Sequence, residues 1–325
     1  MKLNIVIPTF NRSSLLRKTL TSLERAEKSP DLEVTVTVVD NNSTDDTREV
    51  VRERQTDFKL GLRYLFEPRQ GQSRALNTGI RSADGDLVGL IDDDVEVAPD
   101  WFLQIARLFG ERWDEVDFAS GKVLPLWETP PPKWLPPNCS GVLGLFDSCD
   151  QERAYDPCFD AMLPGCHSLV KLSALKEVGL YNEDWGPMGN SLVGHAGGAD
   201  DDLFDRLISG GKRGLYSPKL VIHHFVPSYR LTKHYFRHWS YGHGVSQGSR
   251  DAARPSYSGP RILGTPRYLY GDAMRAAFRM LRALTRRDAQ AAFADEAPIW
   301  ILTGFLSSRH HIFSPLGKIV RAIRG

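Results

Sequence analysis

The stretch Gly85-Asp-Leu-Val-Gly-Leu-Ile-Asp92-Asp93-Asp94-Val95 decides the fold. Residues 86–91 form a short, mainly apolar run of the kind that fills a buried strand. The run breaks off in three consecutive carboxylates. In an open α/β sheet, the C-terminal end of a parallel strand opens on the crevice where ligands bind. Three acids crowded there repel one another unless a cation or a donor-rich ligand offsets them. Alternation along a strand turns Asp92 and Asp94 one way and Asp93 the other. An Asp-x-Asp pair offers the hard oxygen ligands that suit Mg2+ or Mn2+ beside phosphate oxygens and water. A solvated acidic turn is the plainer alternative.

Upstream, Leu3-Asn-Ile-Val-Ile-Pro8 predicts a first buried strand ended by Pro8, with Ser13 or Ser14 capping a helix to about residue 28. The turn Thr9-Phe-Asn-Arg12 between them contains no glycine, so it is neither a P-loop nor a dinucleotide cradle. Polar side chains there would have to touch a ligand directly. Residues 33–39 predict a β-branched strand ending in Asp40, and Ser43 with Asp46 resembles a capping box for a helix to about residue 55. Residues 62–67 read as a third strand and 71–83 as a helix carrying Arg74 and Asn77. Pro99-Asp-Trp101 opens another helix. This alternation predicts a doubly wound, mostly parallel sheet.

Downstream the texture changes. Pro130-Pro-Pro and Pro136-Pro137, with Trp127 and Trp134, mark an irregular excursion at a lobe boundary. The tryptophans either stack on a sugar ring or pack the excursion down. A strand is expected over residues 162–171, then a short helix ended by Gly179. A glycine-rich loop at 186–198 leads into Ala199-Asp200-Asp201-Asp202 at the start of a helix. Helix capping explains one or two of those acids, but not their delivery by a long glycine loop. Leu220-Val-Ile-His223-His224-Phe-Val-Pro227 is a strand ending in paired histidines, which are structural or ligating. A helix from about residue 231 is expected to end at Gly242-His-Gly244.

The 325 residues carry a net charge of +1, which favours no particular partner and no nucleic acid. Residues 261–325 hold eleven Lys and Arg against four Asp and Glu, a local balance of +7. Met274, Phe278, Leu281 and Leu284 recur there at helical spacing. Such a basic amphipathic segment either lies on an anionic membrane surface or covers a lobe's apolar flank. None of the four cysteines forms a C-x-x-C pair, Met1-Lys2 runs straight into a strand, and no stretch approaches a membrane span. A cytoplasmic setting is expected, with peripheral contact at the inner face of the membrane as the tail's option.

Together, Val6-Ile-Pro-Thr-Phe-Asn-Arg12, Val39-Asp-Asn-Asn-Ser43, Gly71-Gln-Ser-Arg-Ala-Leu-Asn77, Asp92-Asp-Asp94, Gly198-Ala-Asp-Asp-Asp-Leu203 and His224-Phe-Val-Pro227 resemble the family 2 glycosyltransferases. The resemblance covers about residues 1–245. It implies an α/β fold of GT-A type with an acceptor-side lobe and a C-terminal helical tail. The divisions expected are 1–124 for the nucleotide-sugar lobe, 125–250 for the acceptor and catalytic lobe, and 251–325 for the tail. The implied activity is inverting transfer of a sugar from a nucleotide-diphosphate sugar to a saccharide or lipid-linked acceptor, with Mn2+ or Mg2+.

Carried over position by position, Pro8, Thr9, Asn11, Arg12, Asp40, Arg74, Asn77, Asp92 and Asp93 would bind the donor. Asp94 and His224 would hold the metal, Asp200 would be the catalytic base, and Asp202 and Trp185 would meet the acceptor. One departure stands out: the family commonly has Glu-Asp where this chain has Ala199-Asp200, so acceptor recognition is expected to differ. Two alternatives remain open. Ile91-Asp-Asp-Asp-Val95 superficially matches the nucleophile motif of haloacid-dehalogenase phosphatases, although that motif should end the first strand. Ala199 keeps open a catalytically silent carbohydrate-binding protein of the same fold.

Overall fold

The computed structural model describes residues 1–136, 140–156, 163–186, 198–253 and 257–310. The first unit comprises Met1–Leu126, Gly144–Gly189 and Ala199–Val226. Its elements in chain order are β1 (Lys2–Thr9), α1 (Ser13–Arg25), β2 (Glu33–Asp40), α2 (Thr47–Gln55), β3 (Gly61–Phe66), α3 (Gln72–Arg81), β4 (Leu87–Ile91), β5 (Val95–Val97) and α4 (Trp101–Arg112). Then come β6 (Phe118–Trp127), β7 (Arg153–Ala154), β8 (His167–Lys171), α5 (Leu172–Val178), α6 (Ala199–Ser209) and β9 (Gly214–Val226).

The nine strands make one sheet in the order β3-β2-β1-β4-β8-β6-β9-β5, with β7 on β9. The strands β3-β2-β1-β4 run parallel, and β8 joins β4 antiparallel. Alternate residues feed two cores, as the period of a strand requires. Leu3, Ile5 and Ile7 meet Leu16, Leu20 and Leu23 of α1 and Trp101 and Phe102 of α4 on one face. Val6, Val39, Val88 and Leu90 meet Ala75 and Ile80 of α3 and Leu203 and Leu207 of α6 on the other. The sheet is therefore doubly wound, the α/β architecture that the resemblance implies. The structure draws the division differently from the 124/125 boundary, because β8 and β9 extend the same sheet instead of founding a second lobe.

Several local expectations are corrected. Pro8 does not end β1, which runs through Thr9. The Thr9 carbonyl accepts from Asn41 N and so faces β2. The proline nitrogen thus turns toward β4, whose ladder with β1 stops at Val6, and its missing N–H forfeits no bond. Ser43 makes no capping box, since α2 starts four residues later at Thr47 and the Ser43 hydroxyl accepts from Asn11 N. The strand expected from Met162 begins at His167, and Met162 lies outside the described residues. So do Pro137 and nearly all of the glycine-rich loop.

The second unit comprises Trp127–Leu143, Asn190–Gly198 and Pro227–Gly325. It contains α7 (Lys233–Ala253), α8 (Arg267–Thr285), α9 (Ala289–Ala294) and α10 (Ala297–His310). Gly242 and Gly244 do not end α7. Both lie inside it, and at Gly244 α10 comes too close for a side chain: a Cβ there would sit 2.0 Å from the Ile301 carbonyl oxygen. Trp134 packs edge-on against Phe236 and Phe293, so its ring serves the core of this unit. Among the described residues no helix is long and apolar enough to cross a membrane.

Candidate active site

The site forms where the parallel strands end. After β4 the chain turns through Asp92-Asp93-Asp94 and returns as β5, which pairs antiparallel with β9 and sets Val95 opposite His224. Asp94 O accepts from Phe225 N at 2.8 Å, fastening the turn to β9. Alternation along β9 brings His224 inward (4% exposed) beside the acids and leaves His223 on the other face, opposite Glu96.

The three acids diverge as a strand end predicts. Asp93 is turned back into the protein, where its carboxylate accepts from the Thr9 hydroxyl at 2.7 Å and from Arg12 Nη1 at 3.0 Å. The Thr19 hydroxyl donates to the Asp93 carbonyl at 2.8 Å. Arg12 Nη1 also donates to Asp94 Oδ2 at 2.9 Å. Burial works against the Arg12 charge, but Asp93 and then Asp94 outweigh it and raise its pKa above the ordinary guanidinium range. Burial pushes Asp93 up to about 7, opposed by Arg12 and reinforced by Asp94. Asp92, Asp94 and His224 converge, each offering an atom within 4.8 Å of the others. Two carboxylate oxygens and an imidazole nitrogen fit a divalent cation.

The neighbouring turns are knotted together. Asn11 stands at φ 53°, and its side-chain oxygen accepts from Thr44 N at 2.7 Å. Asp40 is buried and accepts from Ser43 N at 2.8 Å and from the Tyr64 hydroxyl at 2.7 Å. Burial, then the Asp40 carboxylate, raises the Tyr64 pKa. Pro8 lies buried beside them in β1. Arg74 donates to the Gln70 carbonyl at 3.2 Å and lies 3.8 Å from Glu183. Asn77 is buried and clamps the backbone of Tyr181, donating to its carbonyl and accepting from its N–H at 2.9 Å each.

Asp200 occupies the first turn of α6 and is half-buried. It packs so closely on Gly165 that a Cβ there would meet its carboxylate at 2.4 Å. Burial raises the Asp200 pKa to about 7, Asp92 and Asp201 add to this, and a hydrogen bond from Tyr181 works against it. Asp202 behaves differently: its carboxylate accepts from Arg206 at 2.9 Å, and Arg206 also holds the carbonyls of Val178, Gly179 and Leu180 at the end of α5. Trp185 is half-buried against the second core, with its carbonyl accepting from the Ser73 hydroxyl at 2.5 Å.

The structure thus brings Thr9, Arg12, Asp92, Asp93, Asp94 and His224 together directly. It turns Asn77 and Asp202 toward structural partners. Sequence reasoning missed Tyr181 and Gly165, the immediate neighbours of Asp200, and Gln72, whose amide donates to Asp92 at 3.2 Å. It also missed Cys166, a buried thiol whose pKa burial, then Asp92 and Asp94, push up. A lone tyrosine or glutamine carries no spacing that would single it out.

The comparisons with known proteins agree with this construction. The model of the family described as "Glycosyl transferase family 2" matches residues 4–134. A GalNAc(5)-diNAcBac-PP-undecaprenol beta-1,3-glucosyltransferase of Campylobacter jejuni is 38% identical over 98 residues, 30% of this chain and 30% of that protein. Across the first four relatives, the matched region spans 22% to 36% of their length. A glucosyl-dolichyl phosphate glucuronosyltransferase of Haloferax volcanii is 25% identical over 79% of this chain and 80% of its own. The fold is shared with the mannosyltransferase PcManGT of Pyrobaculum calidifontis, solved with GDP-Man and Mn2+, at a TM-score of 0.63 and 18% identity over 95% of this chain and 87% of that one. The family match runs from β1 past the acid turn that organises the site, so over residues 4–134 the chain is similar to the family 2 glycosyltransferases.

Proposed function

We propose that this protein is an inverting glycosyltransferase that moves a sugar from a nucleotide-diphosphate sugar to an acceptor hydroxyl in polysaccharide or other glycoconjugate synthesis. One observation carries the reading. The Asp92, Asp94 and His224 group stands apart in sequence from Asp200, a half-buried carboxylate with a pKa of about 7. A general base serves best when its pKa lies near the working pH.

In this reading Asp94 and His224, with Asp92, hold Mn2+ or Mg2+. Bound there, the cation would stabilise the charge that develops on the departing diphosphate. Thr9, Asn11, Arg12, Asp40 and Asp93, with Pro8 beside them, shape the pocket for base and ribose, and Arg74 lies by the donor. Asn77 acts on the donor side by holding the Tyr181 backbone. Asp200 takes the proton from the acceptor hydroxyl as that oxygen attacks the anomeric carbon opposite the leaving diphosphate, which inverts the centre. Trp185 and Asp202 flank the acceptor side, Asp202 by fixing the start of α6. The names of the Campylobacter and Haloferax relatives include undecaprenol and dolichyl phosphate, which supports a lipid-linked acceptor. That acceptor class in turn supports a cytoplasmic enzyme working peripherally at the inner face of a membrane.

The test is a panel of nucleotide sugars with Mn2+ or Mg2+, reading nucleoside diphosphate and free phosphate separately. Nucleoside diphosphate released only with the cation, and lost in Asp94→Asn, is expected. Free phosphate as the first product would favour the phosphatase reading, which the position of the acids at the end of the fourth strand already disfavours.

A further inference from the structure

Helix α8 is built inside out. Its buried face is formed by Leu269, Ala273, Ala276 and Ala283, toward α9 and α10. Its bulkiest apolar side chains point to solvent: Met274 is 68% exposed, Phe278 70%, Leu281 59% and Leu284 53%. A surface helix of a globular protein ordinarily does the reverse, burying its large residues and showing polar ones. Met274, Phe278 and Leu281 follow one another at intervals of four and three residues and so form one stripe. Arg275 and Arg282 each stand one position after a stripe residue, at its edge. Arg267 opens the helix, and Arg286 and Arg287 follow its end. Arg275 is braced by Asp272 and Arg279 by Asp295.

We propose that this face of α8 is an interfacial membrane-docking surface, with Met274, Phe278 and Leu281 entering the acyl boundary of an anionic bilayer and the flanking arginines meeting its headgroups. Charge selects this occupant. A second copy of the same face would set arginine edges against arginine edges. The chain beyond residue 310 adds Lys318, Arg321 and Arg324 and no acid, so it too would be repelled as a cover. An anionic bilayer supplies both the apolar phase and the opposite charge, and long arginine side chains reach headgroups while their stems stay among apolar groups. Only the purpose of the surface, keeping the enzyme where lipid-linked acceptors are held, rests on the proposed transfer. The binding itself does not.

The experiment is co-sedimentation of the full chain with vesicles of phosphatidylcholine and phosphatidylglycerol in equal parts, and with phosphatidylcholine alone. Binding to the anionic vesicles that weakens with salt is expected. Phe278→Ser with Leu281→Ser should lower it by about tenfold or more. Arg282→Gln should lower it about fivefold on anionic vesicles only. All these positions are exposed, so melting temperature and nucleoside diphosphate release with a soluble acceptor should stay as in the wild type. Asp94→Asn, expected to abolish transfer, should bind vesicles normally, so the inference and the proposed transfer fail separately. Equal vesicle binding by the Phe278/Leu281 variant and the wild type would overturn the proposal. So would wild-type binding that ignores lipid charge, or a dimer that the double variant converts to monomer without changing vesicle binding.

Discussion

In the proposed mechanism Asp200 is a side chain held for chemistry at the expense of stability. Its pKa is raised from 3.8 to about 7, chiefly by burial. Between those values the folded chain holds a proton that the unfolded chain has released. The group's contribution is therefore most favourable below pH 4 and declines as pH rises toward 7. Asp200→Asn removes that penalty, so thermal or urea unfolding at pH 8 should find the variant more stable by roughly 1–3 kcal/mol, with the gain vanishing near pH 4. Turnover should fall by about 10²–10⁴-fold. In the wild type kcat/KM should rise with pH and level off above about 7, because only the ionised carboxylate accepts a proton. A variant as active as wild type at saturating donor and acceptor would remove Asp200 from the mechanism. At this scale the sequence was informative where acids cluster. The divergence of Asp93 from Asp92 and Asp94 matches the alternation expected of a strand, although β4 ends at Ile91 and the acids lie in the turn after it. The residues that tune Asp200 were not legible, since Tyr181 and Gly165 reach it through the fold and leave no local pattern.

At the scale of elements, the long periodic pieces were legible and the short ones were not. β1, β2 and α3 lie within a residue or two of their expected bounds, because each repeats its pattern over several periods. β5 is three residues long and offers no period to read, yet it is the strand that brings His224 to Asp94. The glycines of α7 mislead for the opposite reason. Propensity says a helix should end at Gly242-His-Gly244, but packing overrides it, because α7 and α10 approach more closely than any side chain permits. Gly244→Ala tests this. In an isolated helix the change should stabilise by roughly 0.5–1 kcal/mol. Here the new methyl would meet the Ile301 carbonyl oxygen, and a net loss of about 1–3 kcal/mol is expected in urea unfolding. A variant more stable than wild type would show that the two backbones have room to part.

Across the whole molecule, charge is distributed unevenly. The chain has 41 Lys and Arg against 40 Asp and Glu, but the basic excess is gathered after residue 260. The site, by contrast, crowds Asp40, Asp92, Asp93 and Asp94 into buried or half-buried positions with Arg12 as the cation between two of them. Such a native state gains from any cation that enters the Asp92, Asp94 and His224 group, and a nucleoside diphosphate should bind well only with that cation beside it. A ligand that binds the folded state alone stabilises it by RT ln(1 + [L]/Kd), about 2.7 kcal/mol at a hundredfold excess over Kd. For a chain of this size that corresponds to a rise in Tm of several degrees. We therefore expect a modest shift from Mn2+ alone and almost none from a nucleoside diphosphate in the presence of a chelator. The two together should give a shift larger than the sum of their separate effects. Asp94→Asn should abolish the synergy while leaving the ligand-free Tm equal or higher, because one of the crowded carboxylates is gone while Asp93 still pairs with Arg12. A nucleoside diphosphate that raises the Tm equally with and without a chelator would mean that the phosphates lie elsewhere, and that the acid turn holds the chain together without holding a metal.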